Sequence, residues 1–231
     1  MKFTPGPFMA VGSGSIGGQT FSHNRFGPYA RTRAIPTNPN TARQQAVRNI
    51  FQTLALVWSS VLTQGKRDAW NLYGSTVVVK DKLGQDVHWT GFNHFIRSNS
   101  VLLGVPLARV DDGPTTMTLG PTDPTIVATI SEATQQISLV FDDTLEWCDE
   151  NDAAFQIQMS SPVGSGRAYL PPIFRVAGFM EGASVTPPTS PQLFSTPFAV
   201  TEGQLVLVQC RIVRADARLS PPFQATSAIV A

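Results

Sequence analysis

Cysteine and histidine are scarce in this chain, and charge is thin: two Cys, three His and 14% Asp, Glu, Lys and Arg among 231 residues. Cys148 and Cys210 permit a single disulfide at most, and two thiols in a reducing compartment are the expected state. His23, His88 and His94 are scattered over separate segments at spacings that fit no zinc site, so no metal is expected. No stretch approaches the roughly 18 apolar residues of a membrane span. The opening "MKFTPGPFMAVG" is broken by Pro5, Gly6 and Pro7 and lacks the continuous apolar region of a signal peptide. A protein made and kept in the cytosol, without a membrane partner, is therefore expected.

Catalytic signatures are missing as well. "GSGSIGG" at residues 12–18 has no Gly-Lys-Ser/Thr ending, which excludes a phosphate-cradling loop of that type. "SGR" at 165–167 lacks the Gly-x-Ser-x-Gly elbow. The acids of "FDDTLEWCDENDA" (141–153) do not follow the ligand order of a calcium loop, and a solvated loop between strands is expected there. The expectation is a non-enzymatic protein with no cofactor and no small-molecule substrate.

What is present is apolar residue at 42%, together with 18 Gly and 18 Pro. That is enough to bury a core, in a chain rich in turns and strands. The net charge of +1 conceals an asymmetry. Residues 1–70 hold eight bases against one acid, net +7, and residues 71–231 hold nine against fifteen, net −6. A basic front and an acidic back attract one another between identical subunits. The bases are dispersed, without Lys/Arg runs or interleaved aromatics, so direct nucleic-acid contact is not expected.

Four regions follow from the pattern. Residues 1–40 read as an extended arm. Within it "QTFSHN" and "PYARTR" flank Arg25, Phe26 and Gly27, the mark of a hairpin turning at Phe26-Gly27. Phe21, Phe26 and Tyr29 are large apolar anchors, and Arg25, Arg31 and Arg33 carry the charge; a hairpin this small is marginal alone in water and needs a surface to cover it.

Residues 41–109 read as a helical unit with a hairpin insert. Thr41 and Gln44 have the spacing of a capping box. Val47, Ile50, Phe51, Leu54, Val57, Trp58, Val61 and Leu62 then recur at helical intervals on one face, predicting a helix from about Thr41 to Leu62, roughly 33 Å long. Thr63 as N-cap and Gly74 as stop predict a second helix, and "GFNHFIRSNSVLLG" (91–104) a third. Between them a hairpin is expected around Lys82-Leu83-Gly84.

Residues 110–124 are punctuated by Gly113-Pro114, Gly120-Pro121 and Pro124 and read as a linker. Beyond them the period changes to two. Seven strand-like runs, "TIVATIS", "QQISLVFD", "AAFQIQMS", "PIFRVAGFM", "FSTPFAV", "QLVLVQCRIVRA" and "FQATSAIV", fill 125–231. Alternation at Ile137, Leu139, Phe141 and at Leu205, Leu207, Gln209, Arg211 is the pattern of strands with one buried and one wet face. The expected class is α+β: an extended N-terminal arm, a small helical unit with a β-hairpin, and a C-terminal antiparallel β-sandwich of immunoglobulin or fibronectin type III kind.

The run Gly14, Gly18, Thr20-Phe21, Gly27, Tyr29, Arg31, Arg33, Pro36, Asn38-Pro39, Thr41, Gln45 and Arg48, followed by Trp58, Leu62-Thr63 and Ala69-Trp70, resembles the front end of uncharacterised proteins encoded in tailed-bacteriophage and prophage genomes. The likeness covers about residues 12–73. It implies a virion structural protein whose partners are other copies of itself and other virion proteins, located in a virion assembled in the host cytoplasm. A capsid-associated or decorating role is the first expectation. A tail or head–tail connector role, and a glycan- or peptide-binding module, are the alternatives. On this reading Phe21, Arg25, Phe26, Tyr29, Arg31 and Arg33 of the arm meet neighbouring subunits, and Asp142, Asp143, Asp149 and Glu150 receive a neighbour's basic arm.

Overall fold

The computed structural model describes residues 13–24, 27–35, 37–80, 84–105, 107–167, 173–225 and 228–230. It is a mixed α and β structure of three α-helices and several small antiparallel sheets, without a closed barrel. The chain divides into two compact units, residues 1–45 and 46–231.

In the first unit three strands, β1 (Gly14–Ile16), β2 (Gln19–Asn24) and β3 (Gly27–Thr32), form one antiparallel sheet in that order. The β2–β3 hairpin was expected, but Gly27 opens β3 and pairs with Asn24. Its turn, residues 25–26, lies outside the described residues. β1 was not expected. Gly17, at φ 58°, makes the left-handed turn that lets Ile16 pair with Gln19, which explains a glycine-rich stretch that composition alone marks as costly to order.

Helix α1 (Ala42–Leu56) opens with the predicted capping box: Gln44 N donates to Thr41 Oγ1 at 3.3 Å, and Thr41 N donates to Gln44 Oε1 at 3.2 Å. It runs into a single π-helical turn, Val57–Val61, closed by the bond from Leu62 N to Val57 O at 2.9 Å. The extra residue in that turn shifts the phase of the apolar stripe. Leu54, Val57 and Leu62 enter the core, whereas Val47, Phe51 and Val61 of the same predicted face stay 47–59% exposed.

Helix α2 (Gln64–Thr76) is capped by Thr63 as predicted, but it continues past Gly74. Gly74 and Gly91 instead let α2 approach the start of α3 (Gly91–Gly104). A Cβ on Gly74 would lie 2.5 Å from Trp89 O, and one on Gly91 the same distance from Asn71 N. Two short strands, β4 (Val79–Lys80) and β5 (Asp86–Val87), pair between these helices where the hairpin was expected; residues 81–83 of its turn are outside the described residues.

The strands of the C-terminal half are β6 (Val127–Ser131), β7 (Gln136–Val140), β8 (Ala154–Ser160), β9 (Val163–Gly164), β10 (Phe174–Glu181), β11 (Gln192–Ser195), β12 (Gln204–Val206), β13 (Val208–Val213), β14 (Phe223–Gln224) and β15 (Ala228–Ile229). They form three sheets, ordered β10-β8-β13-β14, β11-β7-β6 and β15-β12-β9. Two expected strands are each divided between sheets. "QLVLVQCRIVRA" breaks at Leu207, whose N donates to Ser160 Oγ at 2.9 Å and whose O accepts from Ser160 N at 2.8 Å. "FQATSAIV" supplies β14 to one sheet and β15 to another.

One core gathers Ile130, Ile137, Leu139, Phe155, Ile157, Val206, Val208, Cys210 and Ile212 from the three sheets, with Trp147 from the loop before β8. A second joins Leu54, Trp70, Tyr73, Phe95 and Leu102 of the helices to Ala154, Val213 and Leu219. Strands β8 and β13 are therefore covered on both faces. In β13 the core-facing set is Val208, Cys210 and Ile212, so Gln209 and Arg211 look toward the helices, and that face is half-buried where a wet one was expected.

The stretch 110–124, expected as a linker, has no regular structure yet is fastened within the second unit. Trp70 Nε1 donates to Asp111 O at 3.1 Å and Tyr73 OH to Thr118 O at 2.9 Å. Asn99, fully buried, donates to Phe95 O and Val110 O and accepts from Val110 N at 2.8 Å. Its amide does for Val110 what a strand neighbour would do, so helical packing and irregular backbone are tied at one residue. Asn99→Ala leaves the Val110 N–H and C=O without partners, at a cost of about 3 kcal/mol. Thermal unfolding is expected to show Tm lower on the order of 8 °C; an unchanged Tm would mean that water replaces the amide.

Candidate functional site

The β1–β3 sheet carries side chains of weight on both faces. Register places Phe21 opposite Gly14 and Ala30, and Tyr29 opposite Ser22. Because facing residues share a side and successive ones alternate, Phe21 stands with Gln19 and His23, whereas Tyr29 stands with Arg31, Thr20 and Ser15. Ser15 Oγ and Thr20 Oγ1 are 2.8 Å apart on that second face. Phe21 and Tyr29 are half-buried; Arg31 and Arg33 are exposed. Arg25 and Phe26 lie outside the described residues. The anchors expected to act together are thus on opposite faces of one thin sheet. Among the described residues, none before Leu54 is buried.

The acidic loop is largely occupied by its own neighbourhood. Asp142 Oδ1 accepts from Thr144 N and Oγ1 at 3.0 and 2.6 Å, which holds its pKa below the usual carboxylate range. Asp143 Oδ2 accepts from Ser190 N at 3.2 Å. Glu150 and Glu146 are ion-paired with Arg214, whose guanidinium hydrogen-bonds both. Glu150 is therefore already neutralised within the chain, and Asp143 and Asp149 are the exposed carboxylates of the four expected to meet a neighbour. Among the described residues no group of three or more His, Cys, Asp or Glu is placed to hold a metal. Cys148 and Cys210 are free and buried in the first core; burial pushes the Cys148 thiol up to about 12 and the Cys210 thiol higher, so neither is poised as a nucleophile.

A two-lobed concavity lies elsewhere, where α3 meets β13. Two surface cavities of about 700 and 530 Å³ adjoin there and share Trp89, Arg97 and Arg211 in their walls. The first is otherwise walled by Phe51, Ala55, Phe92 and Ile96 with the polar Asn93 and Ser100, the second by Val78, Val79, Leu119, Pro221 and Pro222 with Lys80. Thr90 caps α3 by accepting from Asn93 N at 3.3 Å, and this sets Arg97 on the face toward β13. Arg97 donates to Leu219 O at 3.2 Å and Ser220 O at 2.6 Å, with its guanidinium 5.6 Å from the centre of the Trp89 ring. Burial and the adjacent Arg211 charge hold its pKa down to about 10. Arg211 is lowered by burial too, and its Nε is enclosed without a hydrogen-bond partner among the described residues.

Sequence reading missed this site. The signal was Arg211 itself, a guanidinium set between Cys210 and Ile212 in a strand otherwise fit for a core.

Comparison with protein-family models and with curated protein sequences finds no match for this chain. No helix among the described residues is long and apolar enough to cross a membrane.

Beside the cavities His94 is buried with its ring 5.0 Å from Tyr73 and 5.7 Å from Trp89, and its Nε2 has no hydrogen-bond partner among the described residues. Burial, reinforced by the Arg97 charge, lowers its pKa to about 4. The unfolded chain then takes up this proton near pH 6.5 and the folded one only near 4. The folded state accordingly loses stability as pH falls through that window and keeps it above pH 6.5. His94→Phe is expected to flatten the decline in Tm between pH 6.5 and 4 relative to the wild type; parallel Tm profiles would show that His94 does not contribute.

Proposed function

We propose that this chain is a non-enzymatic, capsid-associated structural protein of a tailed-bacteriophage virion. Its first forty residues act as an arm laid onto neighbouring subunits, and residues 125–231 are an immunoglobulin-like β-sandwich. The observation that carries the proposal is the β1–β3 sheet, which has no buried residue among those described yet presents Phe21 on one face and Tyr29 with Arg31 on the other. A two-faced sheet of three short strands gains little stability from its own contacts. Covering both faces requires insertion between surfaces, which neighbouring subunits in a shell provide. The resemblance of residues 12–73 to phage-encoded proteins supports the same reading. The sandwich is supported by the single core that β6 and β7 share with β8 and β13.

Antibody raised against the chain is expected to label purified particles on the capsid; labelling confined to the tail would move the protein there, and particles without it would overturn the assignment. Removing residues 1–40 is expected to leave a cooperatively melting protein that no longer sediments with the particle. Undiminished incorporation would rule out the arm.

A further inference from the structure

Arg109, Arg214 and Arg218 each have an in-chain carboxylate partner, namely Asp111, the Glu146 and Glu150 pair, and Asp216. Arg97 and Arg211 have none among the described residues. Arg97 is held by two backbone carbonyls, which orient it without neutralising it. Arg211 makes no hydrogen bond to another described residue through its guanidinium, and its Nε is buried and unsatisfied among them. Two half-buried positive charges beside one another lower the stability of the free protein, because their mutual repulsion and the desolvation of Arg211 go uncompensated. Such an arrangement is complementary to an anion: planar guanidiniums with free N–H groups present the fork that a carboxylate accepts.

The surroundings specify what carries that anion. Apolar walls lie on both sides of the arginine pair, with Phe51 and Ile96 in one lobe and Leu119 and Pro222 in the other. Phe51 is 47% exposed and Val47, one turn before it on α1, is 48% exposed, so the apolar surface continues outward from the first lobe. A small acid with one apolar body fills a single lobe. A chain passing over the arginines fills both.

We propose that this two-lobed groove docks a segment of a partner polypeptide in which an acidic side chain is flanked by apolar ones. The carboxylate sits between Arg97 and Arg211, and its apolar neighbours enter the lobes on either side. The site is distinct from the β1–β3 sheet and stands whether or not that sheet is an assembly arm.

The test uses the full chain and a set of fluorescein-labelled heptapeptides with a central Glu between apolar residues, each matched to a twin with Gln in its place. Fluorescence anisotropy is expected to show the best Glu peptide binding at least tenfold tighter than its twin, with the difference shrinking as salt rises. Arg211→Gln is expected to bring that ratio below threefold while leaving Tm unchanged or higher, since the charge it removes has no partner in the free protein. Phe51→Ser is expected to weaken both peptides alike. The proposal is overturned if no Glu peptide outbinds its twin, if Arg211→Gln lowers Tm by more than about 5 °C as a structural arginine would, or if phenylpropanoate alone binds as tightly as the best peptide.

Discussion

Strands β8 and β13 are covered on both faces, and the rest of the second unit is arranged around that condition. Their pairing places Phe155, Ile157 and Met159 beside Cys210 and Ile212 in one core, with Ala154 and Val213 turned to the other. A strand pair with two dry faces must find partners for whatever polar groups its sequence puts between them. Gln158 Nε2 donates to Gln156 Oε1 at 2.9 Å, and Ser160 holds the backbone of Leu207. Arg211 Nε is enclosed there without a hydrogen-bond partner among the described residues.

The helical layer answers the same constraint from its side. Gly74 and Gly91 remove the side chains that would hold α2 and the start of α3 apart. That close approach brings Trp70, Tyr73 and Phe95 into edge contact, with the Trp70 ring 5.6 Å from Phe95 and 6.1 Å from Tyr73. The irregular stretch 110–124 then closes over these aromatics, its carbonyls accepting from the indole and phenol. Arg97 and His94, on the same helix, are left with opposite problems. One carries a charge that burial cannot discharge, and the other stays neutral because burial and Arg97 forbid a second charge.

Much of the local structure was legible in the residues. The Thr41 and Thr63 caps marked the starts of two helices, the apolar spacing of 91–104 marked a third, and period-two runs located β6, β7, β8 and β10. Other features depend on non-local contacts. Gly74 reads as a helix stop unless the backbone of Trp89 is known to lie against it. "QLVLVQCRIVRA" reads as one strand unless Ser160 is known to replace a ladder partner at Leu207. The acids at 142–150 read as a free negative patch unless Arg214, some 64 residues away, is known to reach Glu150.

The same division separates the N-terminal sheet from the arginine groove. The N-terminal anchors announced themselves by being aromatic and basic in a segment with little else to build a core, a property of composition. The Arg97 and Arg211 pair came from residues 114 positions apart, one in a helix and one in a strand whose wet face was expected to point to water. Sequence determined the caps, the periods and the lack of a self-sufficient core near the N-terminus, because those are interactions between residues within a turn or two of one another. Which face of β13 met the helices was decided only by tertiary packing, since a strand of alternating side chains offers both faces equally until another layer covers one.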